Sequence, residues 1–509
     1  MILQSNAIRN GIVILIAFIM AIWLGVTIVT EQTETLIKVV AAALIILCMF
    51  LGRKIWLLMI FFTALNIPVI RGLGTSELGQ FLFIVFSVAT FLMHRLPTKV
   101  VFGEKEIWVL LVACCVLQVY LRHPAGLNMF GADYVGARPY FMLTMAFLSS
   151  VILGNIVVRA EEIRWVLRLS IIGIILGTGL SHLRGSLGVG PEAFDQGKRI
   201  DDGGGSTRIG ILGHLGVFAA KLVVSFISPL RGLLHPFWAP VIVFALIAAA
   251  MSGYRNTVAQ VGLILLLGLA YRGGTVAVVI SSISAAMFLG LLAFVNLVSP
   301  LPSNVQRALS PFPGTWEQRH LDAADASTEW RLEMWKEALF TEYWINNKIL
   351  GDGLGFTRRE LLMMQDNMEG RSTSLGNSGA GLSRQQEAMM IAGGYHSGPV
   401  QTVRTVGYVG LIILVLAMSR IAVHAHRQII RCRDTEWYPL SLFMCIPMVI
   451  QPVFFVFIFG DFGDATTRLF ISYAFISLLE KNLPIPAYAK PLRLPYVLQR
   501  KAPNTAGMS

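Results

Sequence analysis

The sequence predicts an all-α polytopic membrane protein, and three observations carry that prediction. Of its 509 residues 55% are hydrophobic and 14% charged, where a soluble domain carries about a quarter charged residues. Many apolar runs reach the roughly 20 residues that cross a bilayer core as helix. The runs then stop between residues 299 and 397, a stretch of roughly a hundred residues whose length marks it as functional or disordered.

Apolar segments recur at 11–29, 36–52, 55–70, 80–93, 107–121, 139–158, 164–182, 209–229, 237–251, 257–271, 275–298, 398–420, 438–459 and 467–480. By length they make about 12–14 transmembrane helices, the lower figure if the short pair around "SGYRNT" forms a broken hairpin. The first run follows a short basic start. It is longer than a signal-peptide core and has no A-x-A site after it, so it reads as a retained span. The expected organisation is an N-terminal transmembrane bundle over 1–298, the large loop 299–397, C-terminal transmembrane helices over 398–480, and a basic tail over 481–509.

Short loops set the orientation, because Lys and Arg favour the cytoplasmic side. The connections "GRK" (52–54), "HRLPTKVVFGEK" (94–105), "VRAEEIR" (158–164), "YRGG" (271–274) and "RIAVHAHRQIIRCR" (420–433) are basic, and alternate with neutral or acidic "TEQTET", "TSELGQ" and "GDFGDATT". Both termini are therefore expected inside and the 299–397 loop outside. The net charge of +12 follows from basic inner loops and calls for no nucleic-acid partner. Four of the five cysteines lie in apolar runs and Cys432 in a basic loop, a distribution that argues against a disulfide framework.

Within the large loop, "STEWRLEMWKEALFTEYW" (327–344) has apolar residues at 330, 334, 335, 338 and 339, which predicts an amphipathic helix capped by Ser327 or Thr328. "ILGDGLGF" (349–356) reads as a glycine turn. "EGRSTSLGNSGAGLSRQQ" (369–386) reads as a mobile Gly/Ser-rich segment.

Polar groups gather at the outer ends of the spans. Arg255 sits between two apolar segments. An arginine at bilayer depth faces a cavity or partner unless it snorkels to the headgroups. Arg331 lies on the loop helix, where solvation or pairing with a neighbouring glutamate is the ordinary reading. Arg138 opens a helix and suits an interfacial anchor. His396 ends the long loop with glycines at 393, 394 and 398 around it, and a histidine of unperturbed pKa about 6.5 suits proton abstraction. Arg404, eight residues on, is expected two turns down on roughly the same face. No D-x-D, Walker loop or G-x-S-x-G is present and no metal-ligand set stands out, so no metal or cofactor is expected. Outward arginines suit a phosphate-bearing lipid, since the guanidinium fork grips phosphate oxygens, and a nearby base suits activation of a hydroxyl.

Several of these residues fall into a known pattern. Arg331 and Trp335 on one helix, the turn from Gly351 to Gly355, then His396, Gln401 and Gly407 to Leu411 resemble the signature region of the bacterial O-antigen ligase / O-antigen polymerase superfamily. "SGYRNTVAQVGLILLL" is similar to that family's "SR" span start and maps its arginine to Arg255. The resemblance spans 250–271 and 328–415. It implies many transmembrane helices with one large periplasmic loop carrying short helices, in the bacterial inner membrane. It implies a metal-independent glycosyltransferase without cofactor, acting on an undecaprenyl-diphosphate-linked glycan donor and a glycan or lipid acceptor, among membrane lipids and other polysaccharide-assembly proteins. His396 is then the base on the acceptor hydroxyl, and Arg255, Arg331, Arg404 and Arg138 bind the diphosphate. "HSG" stands where ligases commonly have "HN", and "GYRN" replaces "SR", which turns the expectation towards a polymerase of O-antigen or exopolysaccharide repeats, with a ligase as the alternative. A lipid-linked oligosaccharide flippase is the rival class, with its site expected at mid-membrane between repeated halves.

Overall fold

The computed structural model describes residues 48, 51–70, 73–93, 96–125, 136–186, 200–201, 207–342, 344–355, 390 and 393–483. The first expected span, most of the second, the Gly/Ser-rich segment 369–386 and the basic tail beyond residue 483 lie outside the described residues.

The described chain is mostly helical. Its helices are α1 (Ile55–Leu65), α2 (Thr75–Leu92), α3 (Glu104–Arg122), α4 (Arg138–Asn155), α5 (Ala160–Ser186), α6 (Gly210–Phe226), α7 (Pro229–Leu233), α8 (Trp238–Met251), α9 (Arg255–Val298), α10 (Ser303–Leu309), α11 (Gln318–Phe340), α12 (Gly398–Arg431), α13 (Tyr438–Phe457) and α14 (Phe462–Asn482). Two short antiparallel pairs, Pro68–Ile70 with Leu73–Gly74 and Ile200–Asp201 with Thr207–Arg208, close turns between helices.

Local chemistry explains several boundaries. Glu77 and Glu106 reach back to the backbone N–H of Gly74 and Gly103 and start α2 and α3, which satisfies donors a helix cannot use internally. α9 is two helices joined at Gly274, whose φ of 73° interrupts the ladder. The break falls where the "YRGG" loop is expected. α12 runs on to Arg431, so the expected inner loop 420–433 is corrected to helix. His424 meets Glu480 of α14 through its ring nitrogen, and Arg431 donates to the Glu480 carbonyl, so packing on α14 extends the helix past its apolar stretch. α11 begins at Gln318, which corrects the expected cap at Ser327 or Thr328. Gln306 of α10 accepts a hydrogen bond from the Glu317 N–H and fixes the chain one residue before α11 opens.

Segments within Thr75–Leu92, Ala160–Ser181, Arg255–Val298, Gly398–Arg431 and Tyr438–Phe457 are long and apolar enough to cross a membrane, and Gly210–Phe226 and Trp238–Met251 are shorter apolar helices. The second half of α9 bares Met287 at 72% and Phe294 at 63%, a helix face that water would not tolerate over such length. The chain is membrane-embedded.

The core is built by pairing of α12 with α13, α6 with α8, α4 with α14, and α1 with α2 and α5. Helix ends meet in two groups. At one end Arg53 pairs with Glu162, Arg164 with Glu436, and Lys105 with Glu480, Tyr438 donates to the Tyr271 carbonyl, and Lys481 binds the Gly154 carbonyl. A cavity of about 560 Å³ opens there beside Lys54, Arg159 and Glu162. At the other end Ile209 donates to the Ser252 carbonyl, Asn304 to the Met251 carbonyl, and Arg122 to the Gly351 carbonyl. The long 299–397 segment begins and ends at this second end.

Candidate functional site

The segment from Gly393 to Gly398 delivers the chain into α12. Ser397 caps the helix by accepting from the Val400 N–H, and Pro399 occupies its first turn, where a missing N–H costs nothing. His396, one residue before the cap, has φ 49°. A left-handed backbone at a non-glycine residue costs on the order of 1–3 kcal/mol and survives where the surroundings over-determine it.

α11 supplies those surroundings. Trp330, Met334 and Ala338 recur at helical spacing, with Met334 and Ala338 fully buried against Tyr395, Val400 and Val403. Trp335 donates its indole N–H to the Tyr395 carbonyl at 2.7 Å. Trp330 meets the His396 ring edge-on at 6.0 Å between centroids, and Phe459, beyond α13, lies at 6.4 Å. Arg331 stands half-buried one turn before Trp335, on the side of α11 that carries it towards this segment.

Arg404 reaches the same neighbourhood by another route. A Cβ on Gly393 would come within 2.5 Å of the Arg404 Nη1, so the guanidinium rests on bare backbone. His396 precedes the helix, and the expected shared helical face of His396 and Arg404 does not arise. Below Arg404 the helix breaks at Gly407, φ 75°. The break frees the carbonyls of 404 and 405 and the N–H groups of 408 and 409. All four are taken up by the glycine turn: Asp352 and Gly353 donate to the Arg404 and Thr405 carbonyls at 2.7 and 3.0 Å, and Tyr408 and Val409 donate to the Lys348 and Ile349 carbonyls at 2.8 and 3.3 Å. Irregular backbone at membrane depth survives when protein groups satisfy it in this way.

Other helices grip the same turn. Arg122, at the end of α3, donates through Nη2 to the Gly351 carbonyl at 2.6 Å, and Gln118 one turn earlier donates to the Leu350 carbonyl at 2.9 Å. Tyr140 of α4 accepts from the Leu354 N–H at 2.8 Å. The Arg122 Nη1 and the Tyr395 hydroxyl are buried and carry no hydrogen-bond partner. Burial and the Asp352 carboxylate push the Tyr395 phenol up while Arg404 pulls it down, burial being the largest effect, so the hydroxyl stays a neutral donor. Arg404 also lies within electrostatic reach of Tyr140. One nitrogen of the Arg122 guanidinium and the Tyr395 phenol thus point unmatched donors into this corner of the outer end, beside the Arg404 guanidinium, a donor set suited to an anion.

His396, Arg331 and Arg404 belong to this neighbourhood. Arg138 heads α4 two residues before Tyr140, and it is Tyr140 that touches the glycine turn. Arg255 opens α9 at the corner where Ser252 receives Ile209 and where Gly213 of α6 packs on Thr257. Gln401 proves to be a strut: it donates to Asp461 at 2.7 Å and accepts from the Phe462 N–H at 3.1 Å. Sequence reasoning missed Arg122, Tyr140 and Tyr395. A terminal arginine and tyrosine on apolar spans look like interfacial anchors, and their shared turn lies over two hundred residues away. All five cysteines are free. Among the described residues no cluster of three or more His, Cys, Asp or Glu could hold a metal ion. No family model matches the chain, and no curated protein matches it.

Proposed function

We propose that this chain is a membrane glycosyltransferase that polymerises or transfers undecaprenyl-diphosphate-linked glycan repeat units, with His396 as the base. The observation that carries the reading is the strained His396 backbone, held between Trp330 and Phe459 by the Trp335–Tyr395 bond. Strain kept at one histidine beside a cluster of arginines is a mark of a site rather than of packing. The resemblance to the O-antigen ligase / polymerase superfamily supports it at the same residues.

In the proposed step His396 takes the proton of an acceptor sugar hydroxyl, the oxygen attacks the anomeric carbon of the donor, and the bond from that carbon to the diphosphate oxygen breaks. The diphosphate leaves with its electron pair on the polyprenyl carrier. Arg331 and Arg404, with Arg255 and Arg138, hold the developing charge, and Arg122 joins them in this reading. Fixed guanidiniums aimed at a leaving group lower the barrier because they need no reorganisation. Metal ions are not required for this charge balance. The termini lie in the cytoplasm, the 299–397 loop in the periplasm, and the chain spans the inner membrane. A ligase uses the same groups and differs only in its acceptor, lipid A-core in place of a second repeat unit.

The test is His396→Ala in a deletion strain. Glycan transfer is expected to vanish with expression and donor binding intact, and near-wild-type transfer would overturn the role. The deletion phenotype separates the readings. Single repeat units mean a polymerase, long polymer stranded on the carrier means a ligase, and units left on the cytoplasmic side mean a flippase.

A further inference from the structure

A second set of basic side chains lies away from the His396 segment, along the facing sides of α6 and α14. His214 and Lys221 are seven residues apart on α6, two turns on one face. Arg468 sits on α14 on the same face as Ile471 and Phe475. Lys221 and His214 both lie within electrostatic reach of Arg468. Arg468 is open at 59%, paired with Asp464 at 2.8 Å. His214 is also exposed, so neither side chain is sealed in the core.

Deeper in, a cavity of about 200 Å³ lies between α6 and α14, lined by Lys221 from one and by Ile471 and Phe475 from the other. Lys221 faces it, with Thr63, Gln80, Ser149, Ser150 and Ser170 from four other helices. Its ammonium rests over the Phe443 ring at 4.2 Å. Lys221 is eleven residues into α6, about 16 Å from its start at the helical rise, which is near the middle of a bilayer core of about 30 Å. Four hydroxyls and an amide surround the cation, and no carboxylate lines the cavity. α13, which packs against α6, carries no charged side chain. The one carboxylate on the facing side of α14, Asp464, is engaged by Arg468. A cation at bilayer depth faces a partner or a functional cavity by default, and a ring face alone offsets little of the burial cost of an ammonium.

We propose that the groove between α6 and α14 is an anion site that takes a phosphoryl group, with Arg468 and His214 at its mouth and Lys221 at its floor. The charges of Arg468 at the bundle end and Lys221 at its centre draw an anion inward, past the His214 imidazole. Thr63 and Ser149 already donate to the Met59 and Ala146 carbonyls, so Ser150, Ser170 and the Gln80 amide supply the neutral donors to the oxygens that the lysine leaves free. The site stands on charge and packing alone, and does not depend on His396 chemistry.

The experiment uses the full chain. Binding of inorganic diphosphate is measured in detergent by calorimetry and by the rise in unfolding temperature that a native-state ligand produces. The same melts are run in phosphatidylcholine nanodiscs with and without phosphatidic acid. A response to diphosphate that Lys221→Met weakens assigns a free phosphoryl ligand to this site, because binding at the arginines near His396 would survive that change; a response only to phosphatidic acid assigns a lipid-borne one. In either case Lys221→Met is expected to weaken binding tenfold or more, Lys221→Arg to retain it, and His396→Ala to leave it unchanged. Arg468→Gln, on an exposed position that the fold tolerates, is expected to weaken it severalfold and keeps the test open should Lys221→Met not fold. No response to either probe, or an undiminished response in both Lys221→Met and Arg468→Gln, overturns the site.

Discussion

Trp335 holds the carbonyl of Tyr395 at 2.7 Å, and that carbonyl belongs to the peptide that enters His396. A hydrogen bond sixty residues away in sequence therefore helps to fix a left-handed backbone at the candidate base. Trp335→Phe keeps the ring and deletes the donor. Leaving a buried carbonyl unsatisfied costs about 1–3 kcal/mol, so the variant is expected to melt a few degrees lower and still fold. Glycan transfer is expected to fall at least tenfold, well beyond what that stability loss explains below the melting range. Unchanged transfer at full folded yield would mean that His396 is positioned without this bond.

Gly407 and Gly274 share one backbone conformation, φ 75° and ψ −179° against φ 73° and ψ −172°, and differ in what surrounds them. A Cβ at Gly274 meets nothing within 4 Å, whereas at Gly407 it would land on the Ile349 carbonyl. Gly274→Ala is expected to cost only the strain of a near glycine-only region, about 1–3 kcal/mol. Gly407→Ala adds expulsion of the glycine turn and of the four backbone bonds it makes with α12, so it should lose more than ~4 kcal/mol, the range of disrupted buried networks. Melting both in one detergent checks the order, and equal losses would remove the turn from the account of the helix break.

These two relationships show which parts of the molecule its sequence made legible. Apolar length reveals spans directly, because every backbone group in lipid must be satisfied within the helix. The break at Gly274 was therefore readable between two apolar runs. The break at Gly407 lay inside one apolar run, and its partners, residues 348 to 353, are joined to it only by long-range bonds. The helix expected over 327–344 was legible by its apolar spacing as far as Phe340, where α11 ends and Thr341 turns to extended backbone. Its start was not, because the Gln306–Glu317 contact from α10 outweighs a local capping signal. His396 and Arg404 flank one segment, with Arg404 against Gly393, but the shared helical face expected of them fails, since the helix begins after His396. Lys221 passed unremarked within an apolar run, where only the assembled helices reveal the cavity it faces.

Lysine replacements distinguish a fork from a charge. If Arg331, Arg404 and Arg255 bind diphosphate oxygens in pairs, each Arg→Lys variant keeps its cation and loses planar two-point contact. A hydrogen bond to a charged group contributes about 1.5–3 kcal/mol, so transfer by each variant is expected to fall roughly 10- to 100-fold, with donor concentration restoring part of it. Rates measured across a donor titration check this. Full activity in all three would leave the arginines as anchors at the membrane surface.

Gln401 offers the last separation, between motif residue and strut. Its amide donates to Asp461 and its carbonyl accepts from Phe462, while Asp461 itself caps α14 by accepting from Asp464. One side chain thus couples the first turn of α12 to the N-terminus of α14. Gln401→Leu strips both bonds and is expected to destabilise by about 2–4 kcal/mol, two partners being left unsatisfied. Gln401→Glu keeps the acceptor for Phe462 but sets a second carboxylate against Asp461. Like charges at hydrogen-bond distance repel most where solvent is scarce, so at pH 8 it should melt lower than Gln401→Leu despite the smaller change in shape. Transfer per folded molecule is expected to stay within about threefold of wild type in Gln401→Leu, because the residue braces the helices and touches no reacting atom; a loss as large as that of His396→Ala would place Gln401 in the reaction itself.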